Sequence, residues 1–218
     1  MYRKDQLEDL MNHFQEYMLF TSTTMEKLVL AIEKEDTNIA NDIYNVREQQ
    51  ANKYESQIEE ESIKFLALNQ AEATILRTLV MIIKMNNDLE RICDNISNVS
   101  KSVINIINDH YSNENLKALI ITMATKALIM LKDVNFAFLN KDVEMSHSII
   151  YRDDEIDNLH SKIYKTTLSE IINAPDMTDS ILRYHRMSKN IERACDIMTN
   201  MSEDIIFLIS GKDVKHNS

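Results

Sequence analysis

One five-residue pattern occurs twice in this chain: Glu90-Arg91-x-Cys93-Asp94 and Glu192-Arg193-x-Cys195-Asp196, 102 positions apart. On a helix, residues four apart project from one face about one turn from each other. Glu90 with Asp94, and Glu192 with Asp196, therefore each offer four carboxylate oxygens to one exposed spot. That donor set suits a hard or borderline cation. A single E-x-x-x-D is ordinarily only a solvated helix face. Its recurrence argues for more, because exposed positions are the first to drift after a duplication. Cys93 and Cys195, the only cysteines in the chain, admit two readings. Each sits beside an apolar seam and can be a small buried thiol, or each can assist a softer metal such as zinc or iron as a thiolate.

The elements that must carry these residues follow from apolar spacing. Leu89, Ile92, Ile96, Val99, Val103 and Ile106 step by 3,4,3,4,3, a coiled-coil-like seam. Ile191, Ala194, Met198, Met201, Ile205 and Leu208 repeat that pattern at the same offset of 102, as do Asn98/Asn200 and Ser100/Ser202. Arg47-Glu48 matches Arg152-Asp153 at an offset of 105, so a connection differs by about three residues between the halves. Polar punctuation predicts six helices: 5–34, 37–68, one opened by a capping box of Asn69 and Glu72, one from the polar break at 110–115 to 140, 142–173, and one ending at Ser210 with Gly211 beyond it. Pro175 belongs outside a helix or in its first turn. The predicted fold is all-α: two tandem, pseudo-symmetric antiparallel three-helix bundles, residues 1–111 and 112–218.

Composition narrows the class further. One glycine and one proline in 218 residues exclude sandwiches, barrels and doubly wound α/β folds, which need frequent turn residues. A formal charge of −11 with no evident Lys/Arg cluster argues against nucleic acid and against phosphate as a direct ligand. No apolar run approaches the roughly 18 residues of a membrane span, and the first residues carry no apolar signal segment. Two cysteines without such a segment place the chain in a reducing cytoplasm. Catalysis is not supported. The E-x-x-H at Glu144–His147 and the D-x-x-H at Asp157–His160 are too few for an inward-facing di-iron set. There is no glycine-rich phosphate loop and no nucleophile elbow.

DLERICDNISNVSK (88–101) and NIERACDIMTNMSE (190–203) resemble the paired L-E-R-I-G-D-x-x-x-N-I-A signatures of the PhoU family of phosphate-transport regulators. YRDDEIDNL (151–159) resembles the family's R-D-D-E-I-D-x-L, and IEEESIKFLALNQ (58–70), with Leu76-Arg77 after it, resembles a further family stretch. The resemblance implies two three-helix bundles with metal ions on their surfaces. It adds Glu48 to Glu90 and Asp94 in the first half, and Asp153 and Asp157 to Glu192 and Asp196 in the second. Cys93 and Cys195 replace the family's glycine, and Asn52 stands where the second half has Asp157. A stronger metal site is therefore expected in the second bundle. Arg91 and Arg193 are expected to form salt bridges that position neighbouring carboxylates rather than to bind an anion. The metal is a divalent or trivalent ion (iron, zinc, manganese or magnesium). The resemblance further implies a cytoplasmic homodimer that docks indirectly at the membrane. Its implied partners are a phosphate ABC transporter ATPase and a sensor histidine kinase, with no nucleic acid and no membrane insertion. Service to another phosphate carrier, such as a sodium-coupled one, and a purely metal-binding or structural scaffold are the competing expectations.

Overall fold

The computed structural model describes residues 4–210. Among them are eight α-helices and no strand: α1 Lys4–Lys34, α2 Thr37–Asp42, α3 Glu48–Leu68, α4 Ala73–Asn108, α5 Glu114–Asn140, α6 Val143–Tyr151, α7 Asp153–Asn173 and α8 Thr178–Ser210. A π-helical turn, Ile43–Arg47, joins α2 to α3, and a 3-10 turn, Pro175–Met177, leads into α8. The predicted helix over 37–68 is thus one rod with a π-turn inside it. The predicted helix over 142–173 is α6 and α7, broken at Arg152. The six predicted rods are present, with two interruptions that no glycine or proline announces. Gly211 lies outside the described residues.

Side-chain caps start several of these helices. Asp36 Oδ1 accepts from the N–H groups of Asn38 (2.8 Å) and Ile39 (3.2 Å). Asn113 Oδ1 accepts from Leu116 N–H at 3.0 Å, and Asp142 Oδ1 from Met145 N–H at 2.9 Å. Each satisfies a donor that the first turn leaves unpaired. The expected capping box at Asn69 and Glu72 does not form. Asn69 ends α3, and its amide donates to the carbonyl of Phe65 at 3.0 Å, so it closes one helix instead of opening the next. Glu72 precedes α4 in an extended conformation without a side-chain cap.

Three helix ends use a left-handed residue other than glycine: Glu35 (φ 50°), His110 (φ 51°) and Lys141 (φ 54°). In each case the following N–H reaches back to the last turn: Asp36 to Ala31 (3.1 Å), Tyr111 to Ile106 (3.3 Å) and Asp142 to Ala137 (2.9 Å). This is the hydrogen bond of the Schellman motif, made without the residue that ordinarily permits it.

The first bundle is α1, the α2–α3 rod and α4; the second is α5, the α6–α7 rod and α8. Both seams point inward. Leu89, Ile92, Ile96, Val99, Val103 and Ile106 are buried, as are Ile191, Ala194, Met198, Met201 and Ile205; Leu208 is only partly so. The paired Ser100 and Ser202 are also buried, donating to the carbonyls of Ser97 (2.7 Å) and Met198 (2.9 Å). The bundles share a continuous core, because α4 packs antiparallel against α8 and α1 packs against α5. Lys84 meets Asp204 at one end of the α4–α8 contact, and Ser180 donates to Asp109 at 2.9 Å at the other. Asn135 on α5 ties the second pair, donating to the carbonyl of Met18 (3.1 Å) and to Ser22 Oγ (2.8 Å) on α1. The expected division at 111/112 falls in the connection between α4 and α5.

Candidate functional site

Each bundle places its acidic residues where two helices run side by side. In the first, Glu90 and Asp94 on α4 face Glu48 at the start of α3. The π-turn before Glu48 is held by Arg47. Its Nε donates to Thr24 Oγ1 at 2.7 Å, and its Nη2 to Thr23 Oγ1 (2.8 Å) and to the Phe20 carbonyl (3.2 Å). The guanidinium also lies 4.2 Å from the centre of the Phe20 ring. Glu48 is then fixed from α4, accepting a hydrogen bond from Ser97 at 3.0 Å.

The second bundle repeats the device with different chemistry. Arg152, at the break between α6 and α7, donates to Asp133 Oδ2 of α5 at 2.6 Å, to Ser148 Oγ at 2.9 Å and to the Ser148 carbonyl at 3.3 Å. Asp153 and Asp157 begin α7 and face Glu192 and Asp196 on α8. In both halves a distortion just ahead of the first acidic residue is locked by the arginine that precedes it. Arg47 and Arg152 matched each other as a repeat in sequence, but their positioning role emerges only from these contacts.

The electrostatics of the two faces are alike. Burial first, and then neighbouring Asp94, Glu55 and Glu48, hold the Glu90 carboxyl above its ordinary range, and Asp94 is raised by burial and Glu48. Asp153 is pushed up to about 6 by burial, with Asp196, Asp157 and Glu192 adding to the effect and the Thr199 hydroxyl opposing it. Glu192 is raised by burial, Asp196 and Asp157, and Asp196 by burial and Asp157. Asp153 Oδ1 is buried. Crowded carboxylates short of positive partners favour protons or cations, and their all-oxygen chemistry fits a hard or borderline metal. Among the described residues, no three His, Cys, Asp or Glu side chains already close around a single metal position.

Two neighbours were not assigned to these faces from sequence: Glu55 in the first half and His160 in the second. Glu55 raises Glu90, and His160 lowers Glu192. They are repeat mates at the offset of 105 that also relates Glu48 to Asp153 and Asn52 to Asp157. The deficit at Asn52 is thus matched by an extra carboxylate at Glu55, while the second face carries an imidazole. That offset, already visible in Arg47/Arg152, was the signal that could have found both. Ser188 Oγ donates to the His185 carbonyl at 2.9 Å and lies 3.0 Å from His160 Nδ1.

Cys93 and Cys195 are both buried, on the core side of their helices. Cys93 Sγ donates to Thr21 Oγ1 at 3.6 Å, and burial pushes its thiol up to about 12. Burial and the surrounding carboxylates raise Cys195 as well. A neutral, buried thiol fills space where the related pattern has glycine, and this geometry favours that reading over a thiolate ligand.

The two arginines of the motif behave differently: among the described residues, Arg91 forms a salt bridge with a neighbouring carboxylate, and Arg193 does not. Arg91 pairs with Asp88 at 3.2 Å, not with Glu90 or Asp94. Arg193 makes no ion pair among the described residues. It lines a cleft with Lys101, Arg183, Arg186 and Lys189, so the chain does carry a basic cluster. Arg183, Arg186, Lys189 and Arg193 share one face of α8 at a spacing the sequence already carries, and the fold adds Lys101 from α4.

Comparison with known proteins agrees with this architecture. The PhoU domain model matches the chain twice, over residues 14–103 and 120–205. A phosphate-specific transport system accessory protein PhoU homolog of Clostridium acetobutylicum is 28% identical over 188 residues, covering 86% of this chain and 84% of that protein. A homolog of the same description from Rhizobium meliloti is 31% identical over 157 residues, covering 72% and 66% of the two chains. Among solved structures, the phosphate transport system regulatory protein PhoU from Streptococcus pneumoniae superposes with a TM-score of 0.84 at 25% identity, covering 95% of this chain and 97% of that one. PhoU from Pseudomonas aeruginosa superposes with a TM-score of 0.90 at 24% identity, covering 95% and 99%. Two matched domains, one in each three-helix bundle, leave one conclusion: the chain belongs to the PhoU family.

Proposed function

We propose that this protein is an accessory component of a phosphate transport system, acting by contact rather than catalysis, with its two acidic faces binding divalent or trivalent metal ions. The observation that carries the reading is the repeated acidic face, each instance positioned by its own arginine and each holding crowded carboxylates whose pKa is raised by burial and by one another. The description of the relatives as transport-system accessory proteins supports the same reading. Among the described residues no helix is long and apolar enough to cross a membrane, which fits attachment through a membrane-bound partner.

Glu48, Glu55, Glu90 and Asp94 hold the ion in the first bundle, and Asp153, Asp157, Glu192 and Asp196, with His160 beside them, in the second. A bound cation supplies the positive charge that offsets carboxylate repulsion. Arg47 and Arg152 keep the starts of α3 and α7 in register with α4 and α8. The faces so stabilised, in a homodimer at the cytoplasmic side of the membrane, meet a transporter ATPase and a sensor kinase and hold the phosphate-starvation response off. His160 gives the second face a nitrogen donor and a preference for zinc or iron, whereas the all-oxygen first face accepts magnesium or manganese equally well.

Calorimetric titration of the chelator-treated protein tests the metal reading. Asp196→Asn is expected to remove zinc binding at one site and Asp94→Asn at the other, with the larger loss for Asp196→Asn. Equal losses would refute the asymmetry, and no saturable binding in the unaltered protein would refute the metal reading. Capture from phosphate-replete cells tests the partners. A phosphate ABC transporter ATPase or a sensor kinase is the expected co-purifying protein, and recovery of a different phosphate carrier alone would overturn that assignment.

A further inference from the structure

The α4–α8 contact has two ends that the repeat makes equivalent, and they carry opposite electrostatics. At one end Lys84 pairs with Asp204, and Arg91 with Asp88. Both aspartates are 7% exposed, and burial first, then Asp204 across the helix pair, raise the Asp88 carboxyl against the opposing pull of Arg91 and Lys84. The offset of 102 maps Lys84 to Arg186 and Arg91 to Arg193, so the cations persist at the other end. Their counterions do not: Asp88 maps to Asn190, and Asp204 maps to Ser102. Two further positions change in the same sense, with Lys189 in place of Asn87 and Lys101 in place of Glu203. Arg183, the mate of Met81, completes the set.

These residues form one cleft of about 440 Å³, floored by Ser102 and edged by Asn98, Asn105 and Asn190. Arg193 interacts through space with the neighbouring Glu192 carboxylate. Arg183 is ion-paired with Asp109 (3.3 Å) and Asp179 (2.7 Å), and Arg186 reaches Asp179 only at 3.8 Å. Lys101 lies 5.3 Å from the centre of the Tyr44 ring. Lys101, Lys189 and Arg193 have no carboxylate within ion-pair distance among the described residues. Five cations against the two ion-paired carboxylates and Glu192 leave a surplus of two in a protein of net charge −11. A chain so acidic gains nothing in solubility from concentrating positive charge in one cleft. An arginine-rich cleft with neutral hydrogen-bonding groups at its base has the chemistry of an oxyanion receptor.

The spacing selects among oxyanions. From Arg183 to Arg193 the cations follow α8 for ten residues, about 15 Å at 1.5 Å per residue. A single phosphate would engage only part of that row. We propose that this cleft binds a linear oligophosphate, either the triphosphate of a nucleotide or a short inorganic polyphosphate. Arg186 and Arg193 grip the phosphoryl oxygens, Lys101 and Lys189 neutralise the remaining charge, and the side chains of Asn98 and Asn105 border the chain. The cleft lies beside the second acidic face, where Arg193 pulls against the burial that raises the Glu192 carboxyl, and shares none of the proposed metal ligands.

Calorimetry on the full chain, freed of metal by chelator at about 50 mM salt, where surface charges are weakly screened, tests this. Sodium tripolyphosphate is expected to bind saturably with one site per chain, and orthophosphate at least about tenfold more weakly. ATP binding as tightly as tripolyphosphate assigns recognition to the phosphates alone, and tighter binding assigns a contribution to the nucleoside; both outcomes support the site. Arg186→Gln with Arg193→Gln is expected to cost at least about tenfold, with Arg91→Gln at the opposite end costing little. Ser102→Asp with Asn190→Asp reinstates the carboxylates of that opposite end. It is expected to abolish binding while leaving the thermal midpoint unchanged or raised, so that loss of binding is not loss of fold. The proposal is overturned by no saturable binding at about 1 mM tripolyphosphate, by unchanged affinity in the Arg186/Arg193 variant, or by a glutamate hexapeptide that binds more tightly than tripolyphosphate.

Discussion

Replacing Arg47 by lysine tests whether the π-turn ahead of Glu48 is held by a planar fork or merely by a positive charge. Arg47 makes three hydrogen bonds, to Thr24 Oγ1, Thr23 Oγ1 and the Phe20 carbonyl, and stacks over the Phe20 ring. A lysine keeps the charge and reaches one of these partners at most. Two charge-assisted bonds are then lost, nominally about 1.5–3 kcal/mol each. Two effects reduce that figure. Thr23 and Thr24 already donate to the Phe20 carbonyl at 2.9 and 2.7 Å, so neither hydroxyl proton is orphaned. Burial also lowers the Arg47 pKa, so the charge is held at a desolvation cost that a lysine recovers to the extent that its ammonium swings out to solvent. The expected net loss is about 2 kcal/mol, read as a lower urea midpoint at unchanged slope. First-bundle metal affinity should fall with it, because Glu48 loses its register. Arg47→Lys with Thr24→Val should cost little more than Arg47→Lys alone, since the two share one interaction. A loss below about 0.5 kcal/mol, the scatter of ordinary surface substitutions, would refute the claim that this fork fixes the turn.

Two further outcomes follow from local geometry. Lys141 is exposed and left-handed at the end of α5, so Lys141→Gly removes a Cβ clash and should stabilise the protein by about 1 kcal/mol, a rise of roughly 2–4 °C in thermal midpoint; a lower midpoint would contradict the strain assignment. Glu61 hydrogen-bonds His13 at 2.9 Å and raises its pKa above 6.5. Because the folded value is the higher one, the stabilisation is complete below pH 6.5 and disappears as pH rises through the folded pKa. Both side chains are more than a third exposed, which keeps the contribution under about 1 kcal/mol. An imidazole titration followed by NMR should show the His13 pKa falling in Glu61→Gln, and no change would dismiss the pair.

Much of this protein is written in local pattern. The 3,4 spacing from Leu89 to Ile106, and its copy from Ile191 onward, fix two inward-facing helices, because an apolar stripe must be buried wherever it recurs at the helical period. The shared offset of 102 establishes the duplication, and the scarcity of glycine and proline leaves helices as the only regular structure available. Glu90, Asp94, Glu192 and Asp196 are legible as pairs for the same reason: four residues apart on a helix is a spatial statement as well as a sequence one. The π-turn at 43–47 and the break at Arg152 were not legible, since neither carries a breaking residue. Arginine contacts to side chains more than fifteen positions away hold them.

Only the tertiary structure decided which charges share a neighbourhood. The pairing of Glu55 and His160 with the acidic faces depends on how α3 and α7 lie against α4 and α8. The basic cleft depends on the antiparallel contact of α4 with α8, which sets Lys101 among Arg186, Lys189 and Arg193 from more than eighty residues away. A helix's own sequence determines which residues share its face, because the period is set by its backbone hydrogen bonds. Coulomb energy instead depends on distances through space, and those were fixed only when the two seams closed against each other.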